Sequence, residues 1–180
     1  MPRCIAFLRA INVGGHSVKM PQLKTIFESL GFTEVETFIA SGNVIFKTRT
    51  APGSAMVSKI EKRLHDELGY EVETFVRTDA EVVALSQLVT FSEAEVASAH
   101  MVYVGFLGAP LNAAARKSLE TFNTATELFR HSGSEIHFLT RVTTADSKFS
   151  NVKFERALGV PTTFRNVNTI ARLASKYPPK

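Results

Sequence analysis

The order of the apolar runs constrains this chain more than any other feature, because it spells the same succession of elements twice. Residues 3–9 hold Cys4, Ile5, Ala6, Phe7 and Leu8 in a row, which suits a strand covered on at least one face. Pro21 then opens a helix in which Leu23, Ile26, Phe27 and Leu30 recur at helical spacing until Gly31. Val35, Thr37 and Ile39 alternate with their neighbours, Ser41-Gly42-Asn43 turns the chain, and Val44-Ile45-Phe46 returns as a β-hairpin. Val57, Ile60, Leu64 and Leu68 mark a second helix closed by Gly69, and 72–77 supplies a fourth strand. After a short helix from Asp79 the pattern repeats, with a strand at 101–107, a helix at 110–122 and strands at 128–130 and 136–139 about Ser132-Gly133-Ser134. A helix at 152–158, a strand at 162–165 and a last helix at 169–176 complete it.

Each half thus reads βαββαβ, the split βαβ arrangement of ferredoxin-like domains. The expected fold is α+β, an α/β plait of two ferredoxin-like subdomains in tandem plus a C-terminal helix. The first subdomain is expected over 1–78, a linker helix and loop over 79–99, and the second subdomain with the terminal helix over 100–180. The halves share no convincing residue-by-residue similarity, and one larger sheet holding every strand is the alternative architecture.

A chain of 180 residues, 44% hydrophobic and 21% charged, has enough apolar side chain to bury such a core. Cys4 is the sole cysteine, which excludes an internal disulfide and any multi-thiolate metal site and suits a reducing, cytoplasmic location. The histidines show no HxxxH or HExxH spacing, so neither a metal nor a cofactor is expected. No run approaches the ~18 apolar residues of a membrane helix, and Arg3, Arg9 and Asn12 break up the start, so no membrane partner or signal peptide is expected. The net charge of +4 hides an asymmetry, since 128–180 carries 9 Lys and Arg against 3 Asp and Glu, whereas 1–127 carries 12 against 14. A basic C-terminal third of this kind attracts phosphates, nucleic acid or another subunit, or is a solvated face.

Four segments between the regular elements are candidates for function. Arg9, Asn12, Gly14 and Gly15 precede Lys19 and a helix start, where backbone N–H groups can meet an anion, although no GxxxxGK[ST] or GxGxxG is present and a structural turn is the plainer reading. Ser41-Gly42-Asn43 reads as a two-residue hairpin turn, and without GxSxG Ser41 is no nucleophile elbow. In 146–151, Ser147 or Ser150 can cap a helix and Lys148 is the functional candidate. In 162–169, Asn168 or Thr169 suits a cap, while Arg165 and Asn166 are the residue types that recognise phosphate, carboxylate or a base edge. Phe7 and Phe46 fall on the two central strands where RNA-recognition sheets stack bases, but the accompanying basic and glycine pattern is missing and core positions suit them better. No triad can be nominated, and Glu61, Asp66, Glu67, Glu71 and Glu73 read as a solvated charged face.

The runs LRAINVGG, LGFTEVETFIASGNVIF, SKFSN and LGVPTTFRNVNT resemble the bacterial family of unknown function numbered sixteen-ninety-seven, whose members open with a close variant of LRGINVGG and close with one of TTRNWNT. The resemblance runs over nearly the whole chain and implies two ferredoxin-like subdomains, but no activity. Arg9, Asn12, Gly14, Gly15, Ser41, Gly42, Asn43, Lys148, Arg165, Asn166, Asn168 and Thr169 fall on the signature. Ala10 stands where the family commonly has Gly, and Val167 where it commonly has Trp.

The expected function is binding of a phosphorylated or carboxylated small molecule in a cleft between the subdomains, with Lys148, Arg165 and Asn166 as contacts, and an enzyme and a binding module both stand as readings. A nucleic-acid-binding protein using the basic third, and a self-associating scaffold, are the rivals. Within the first subdomain, the loop after the first strand and the hairpin are expected at opposite ends of the sheet, so that Arg9–Asn12 and Ser41–Asn43 form one site only if the Gly-containing loop folds over or the second half brings its own signature to one of them, and the latter is expected.

Overall fold

The computed structural model describes residues 1–179, so that Lys180, the end of the expected second subdomain, lies outside the described residues. In chain order the first elements are β1 (Arg3–Leu8), α1 (Met20–Ser29), β2 (Thr33–Phe38), β3 (Asn43–Lys47), α2 (Ser54–Leu68) and β4 (Thr74–Thr78). Then come α3 (Asp79–Gln87), α4 (Glu93–Ala97), β5 (Met101–Phe106), α5 (Ala113–Glu120), β6 (Glu127–Ser132), β7 (Glu135–Thr140), α6 (Asn151–Leu158), β8 (Thr163–Asn166) and α7 (Val167–Lys176). The strands form two separate four-stranded antiparallel sheets, ordered β2-β3-β1-β4 and β6-β7-β5-β8, which excludes the single-sheet alternative and gives two ferredoxin-like plaits. Contacts divide the chain into Met1–Leu85 joined by the residues from Arg172 onward, here unit 1, and Ser86–Ala171, unit 2.

The helices form where the apolar spacing demands. In unit 1, Leu23, Ile26 and Phe27 of α1 and Met56, Ile60 and Leu64 of α2 bury their stripes against Cys4, Ala6, Leu8, Val44 and Phe46 of the sheet. Phe46 lies at the centre, its ring centroid 4.3 Å from Phe32 and 5.5 Å from Phe27. Gly69 and Gly159 end α2 and α6 in the left-handed conformation, each N–H returning to a carbonyl one turn back at 2.8 Å. Phe7 and Phe46 are both fully buried, so neither offers a base-stacking surface. In unit 2 the core is largely aromatic, with Phe129 and Phe138 stacked at 4.4 Å and 5° and Phe154 5.1 Å from Phe129.

Within unit 1, Arg172, Lys176 and Tyr177 lie against β2. The Tyr177 hydroxyl donates to Glu36 at 2.7 Å, the ring meets Phe38 edge-on at 6.4 Å, and Arg172 sits 5.0 Å over Phe38. That hydrogen bond from Tyr177, joined by Lys176, holds the Glu36 carboxyl below its ordinary range.

Two elements depart from expectation. Ser92 and Glu95 form a reciprocal capping box that starts the short α4, a signal present in the sequence as SEAE. The terminal helix starts at Val167 rather than 169, because Asn166 is its cap and accepts the Thr169 N–H at 2.8 Å.

Direction matters most for the loops. β1 runs antiparallel to β3 with Phe7 opposite Asn43, and antiparallel to β4 with Leu8 opposite Thr74. The end of β1, the hairpin tip and the start of β4 therefore share one end of the sheet, and the expected separation of the first loop from the hairpin is wrong. Leu8 N–H donates to the Gly42 carbonyl at 2.8 Å across that junction. Unit 2 repeats the contact with Leu107 N–H and the Ser134 carbonyl at 2.9 Å.

Gly42 is confined by this junction. It has φ +79, and a Cβ there would stand 2.6 Å from Ile11 Cγ2 and 3.2 Å from Leu8 Cβ. Gly42→Ala is expected to lower stability by about 2 to 4 kcal/mol through the combined clash and left-handed strain, read as a fall in denaturant midpoint at unchanged slope.

Candidate functional site

The hairpin of unit 1 is longer than a two-residue turn. Phe38 pairs with Asn43, leaving residues 39–42 as the connection, and Asn43 belongs to β3. Asn43 is fully buried and donates through Nδ2 to the Phe38 carbonyl and to Ser41 Oγ, both at 2.9 Å. Asn12 ties the other loop to this one, donating to the Ala40 carbonyl at 2.8 Å while its Oδ1 accepts the Val18 N–H at 2.8 Å. Gly14 and Gly15, at φ +64 and +88, are the central residues of a turn closed by His16 N–H and the Val13 carbonyl at 3.2 Å. Arg9, Asn12, Gly14, Gly15, Ser41 and Asn43 thus gather at one tip of unit 1. Ala10 and Ile39 are left-handed there as well, at φ +53 and +54.

This tip is acidic rather than basic. Arg9 is paired to Glu73 at 2.8 Å, and beside it a groove of about 450 Å³ is lined by Glu61, Asp66, Glu71 and Glu73 with Lys62 and His65. Burial, with Glu73 and Glu71 nearby, raises the Glu61 pKa against the lowering effect of the Thr74 N–H, 2.9 Å away.

The remaining candidates belong to unit 2. Arg165 is 7% exposed and donates to Thr163 Oγ1 at 2.8 Å and to the Phe164 carbonyl at 3.0 Å, and burial pulls its pKa down to about 10, still charged at neutral pH. Asn166 caps α7 as described, and Asn168 is exposed in its first turn. Lys148 is exposed and has no hydrogen-bond or ion-pair partner among the described residues. The residues on either side of Lys148, Ser147 and Phe149, line a pocket of about 170 Å³ whose other walls are Tyr103, Phe138 and Phe164, with Thr140, Val142 and Thr144 at its edge. Phe149 stands 4.9 Å from Phe138 and edge-on to Phe164 at 5.8 Å, and Tyr103 stacks on Phe138 at 5.6 Å. Ser147 Oγ donates to the buried Glu127 carboxylate and accepts the Phe149 N–H at 3.1 Å, so this hydroxyl holds the loop. The Tyr103 hydroxyl has no hydrogen-bond partner among the described residues. The two segments that looked merely polar in the sequence, SKFSN and TTFRN, supply two of the four aromatic walls, Phe149 and Phe164.

The basic third of the chain is dispersed. Arg172 and Lys176 belong to unit 1, Arg130 is paired to Glu95 at 2.8 Å, and Arg141 donates to Ser98 Oγ and the Ala125 carbonyl, both at 2.9 Å. No described helix is long and apolar enough to cross a membrane, and no cluster of three or more His, Cys, Asp or Glu among the described residues could hold a metal ion.

The model of a family described as protein of unknown function, DUF1697, matches residues 1–137. The chain belongs to DUF1697. The conserved bacterial protein SP0830 from Streptococcus pneumoniae has a similar structure at 20% identity, with 98% of each chain covered and a TM-score of 0.76, a likeness of fold. No curated protein matches. The DUF1697 match ends before SKFSN and TTFRN, so the pocket loop and β8 lie outside the matched residues. Ala10, at φ +53, holds a left-handed backbone that a glycine would adopt at lower cost. Ala10→Gly is expected to raise stability by up to about 1 kcal/mol, measured as an upward shift in denaturant midpoint.

His137 gives a second expectation for this DUF1697 member. It is 4% exposed, its Nε2 lacks a hydrogen-bond partner, and burial pulls its pKa down from 6.5 to about 4. Along its row of the sheet, Arg130 and Val104 are its direct cross-strand neighbours and Arg165 stands beyond Val104, so no neighbour in the row stabilises an imidazolium. The unfolded chain takes up this proton near pH 6.5 and the folded one near pH 4, so stability is complete above the first value and falls as pH drops toward the second. Up to about 3 kcal/mol is at stake. Urea midpoints from pH 7 to 4 should show this loss in the wild type, and His137→Phe should remove the part of the slope that lies between pH 6.5 and 4.

Proposed function

We propose that this protein binds a small molecule with a ring-sized apolar body, held among Tyr103, Phe138, Phe149 and Phe164 of unit 2, and an anionic group met by Lys148. The observation that carries this reading is the pocket itself, in which Phe149 and Phe164 of the two motif segments meet Tyr103 and Phe138 of the sheet, and whose loop leaves Lys148 without a partner among the described residues. An apolar lining with a few polar groups is the usual make-up of small-molecule sites. At about 170 Å³ the pocket is close to the size of cavities of roughly 150 Å³ that take benzene. A single ring or a short branched chain fits, and the Tyr103 hydroxyl is available to a polar substituent. Arg165 and Asn166 support the pocket from β8 and the start of α7 rather than meeting the ligand. The serine hydroxyl in the wall is bonded to Glu127 without an imidazole beside it, which favours binding over nucleophilic catalysis.

A thermal-shift panel of aromatic carboxylates and phosphates, each with its neutral analogue, tests this. A ligand at 100 times its dissociation constant adds about 2.7 kcal/mol, an upward shift of roughly 5 to 10 °C for a chain of this size. Lys148→Ala is expected to leave the ligand-free midpoint unchanged and to weaken anionic ligands by about tenfold while sparing their neutral analogues. Gly105→Ala, whose Cβ would stand 2.6 Å from Phe164 Cε1, displaces that ring and is expected to weaken both kinds. Equal affinity of anionic and neutral compounds for the wild type would remove Lys148 from the site.

A further inference from the structure

We propose that unit 1 holds a second site, a basic groove at the end of its sheet away from the acidic tip, which binds a phosphate monoester. β3 runs from Asn43 at the tip to Lys47 at this other end. The groove encloses about 350 Å³ between the turn that ends α1, with Gly31 and Phe32, and the loop that leaves β3, with Thr48, Arg49 and Thr50, and Lys59 of α2 also lines it. No carboxylate lines it among the described residues, whereas the groove at the tip is lined by Glu61, Asp66, Glu71 and Glu73.

The charges divide simply. Lys47, which also lines the groove, is neutralised by Glu34 at 2.6 Å. Lys59 gives one of its three ammonium hydrogens to the Leu30 carbonyl at 2.9 Å, at the negative end of α1, and has no acidic partner. Arg49 is exposed and has neither a hydrogen bond nor an ion pair among the described residues. Two positive charges are therefore left over, one of them a planar fork of donors. Beside them Thr48 Oγ1 and Thr50 Oγ1 are hydrogen-bonded to each other at 3.3 Å and Thr48 Oγ1 accepts the Thr50 N–H at 3.2 Å, which leaves one hydroxyl hydrogen of the pair to donate.

A phosphate monoester matches this set better than a carboxylate. Its three terminal oxygens carry about −1.5 to −2 charge near neutral pH, which balances Arg49 and Lys59, and accept from the guanidinium, the ammonium and the one remaining hydroxyl hydrogen together. A carboxylate has one charge and two coplanar oxygens. The volume exceeds what a phosphate alone fills, leaving room for a small polar organic group toward Gly31.

Isothermal titration of the full chain at constant ionic strength, with glycerol 3-phosphate, inorganic phosphate and succinate, tests the proposal. Saturable one-to-one binding of glycerol 3-phosphate is expected, with inorganic phosphate weaker and succinate weaker still. Arg49→Ala should reduce the glycerol 3-phosphate affinity by about tenfold without moving the thermal midpoint, since the side chain is exposed and supports nothing. Lys59→Ala should do the same, at some cost in stability because it also caps α1. Lys148→Ala should leave this binding unchanged, which separates the site from the pocket of unit 2. The proposal is overturned by absence of saturable binding, by equal binding of inorganic phosphate or succinate, or by an Arg49→Ala variant that binds as the wild type does.

Discussion

The antiparallel pairing of β1 with both of its neighbours decides where every loop of unit 1 falls. Because β3 and β4 both run against β1, the loop after β1, the hairpin before β3 and the loop before β4 meet at a single tip. β5 does the same in unit 2 with β7 and β8. The tip of unit 1 is then held by few atoms. The missing Cβ of Gly42 lets Ile11 approach, the Leu8 N–H finds the Gly42 carbonyl, and the Asn12 amide bridges the two loops. If the strands ran in another direction, the motif residues of the first 43 positions would lie at opposite ends of the sheet and have nothing to do with one another.

Much of the fold was legible because it is written in periodicity. The helical stripes of α1, α2, α5 and α6, the glycines after α2 and α6, and the apolar central strands follow from local physics, and the structure keeps them. Loop placement was misread although the element order carries it: the crossover through α1 returns β2 parallel to β1, so the loop after β1 and the hairpin after β2 leave the same end of the sheet. The repeat between the halves was not visible residue by residue. It rests on a few widely spaced positions where the same residue type makes the equivalent contact in each half: Leu8 and Leu107 bond to hairpin carbonyls, and Glu61 and Glu155 accept the N–H groups of Thr74 and Thr162 at 2.9 and 2.8 Å. Arg77 and Arg165, opposite Ile5 and Val104, occupy matching positions on the fourth strands and are both buried.

The candidate site was legible in part. Asn166 drew attention as a polar group without an obvious structural use, yet Asn12, Asn43 and Asn166 each close an irregular stretch of backbone. Their amides do what a regular element does for itself. The informative signal in SKFSN and TTFRN was the phenylalanine in each, since an aromatic side chain in a polar loop must find apolar company. The charge pattern misled in a similar way, because the basic third is a property of the linear sequence and the fold divides those residues between its two units.

Cys4 lies fully buried in β1, paired between Phe46 and Thr78, and burial foremost, with Asp79 and Glu81 adding to it, pushes its thiol up to about 11. A thiol in that state is both shielded and almost wholly protonated at neutral pH, so electrophiles reach it only after the strand leaves the sheet. The central strand of unit 1 thus carries its own chemical clock. Under conditions where reclosing is fast, the rate at which Cys4 is alkylated measures the free energy of opening that strand, with no label added and no competing thiol elsewhere in the chain.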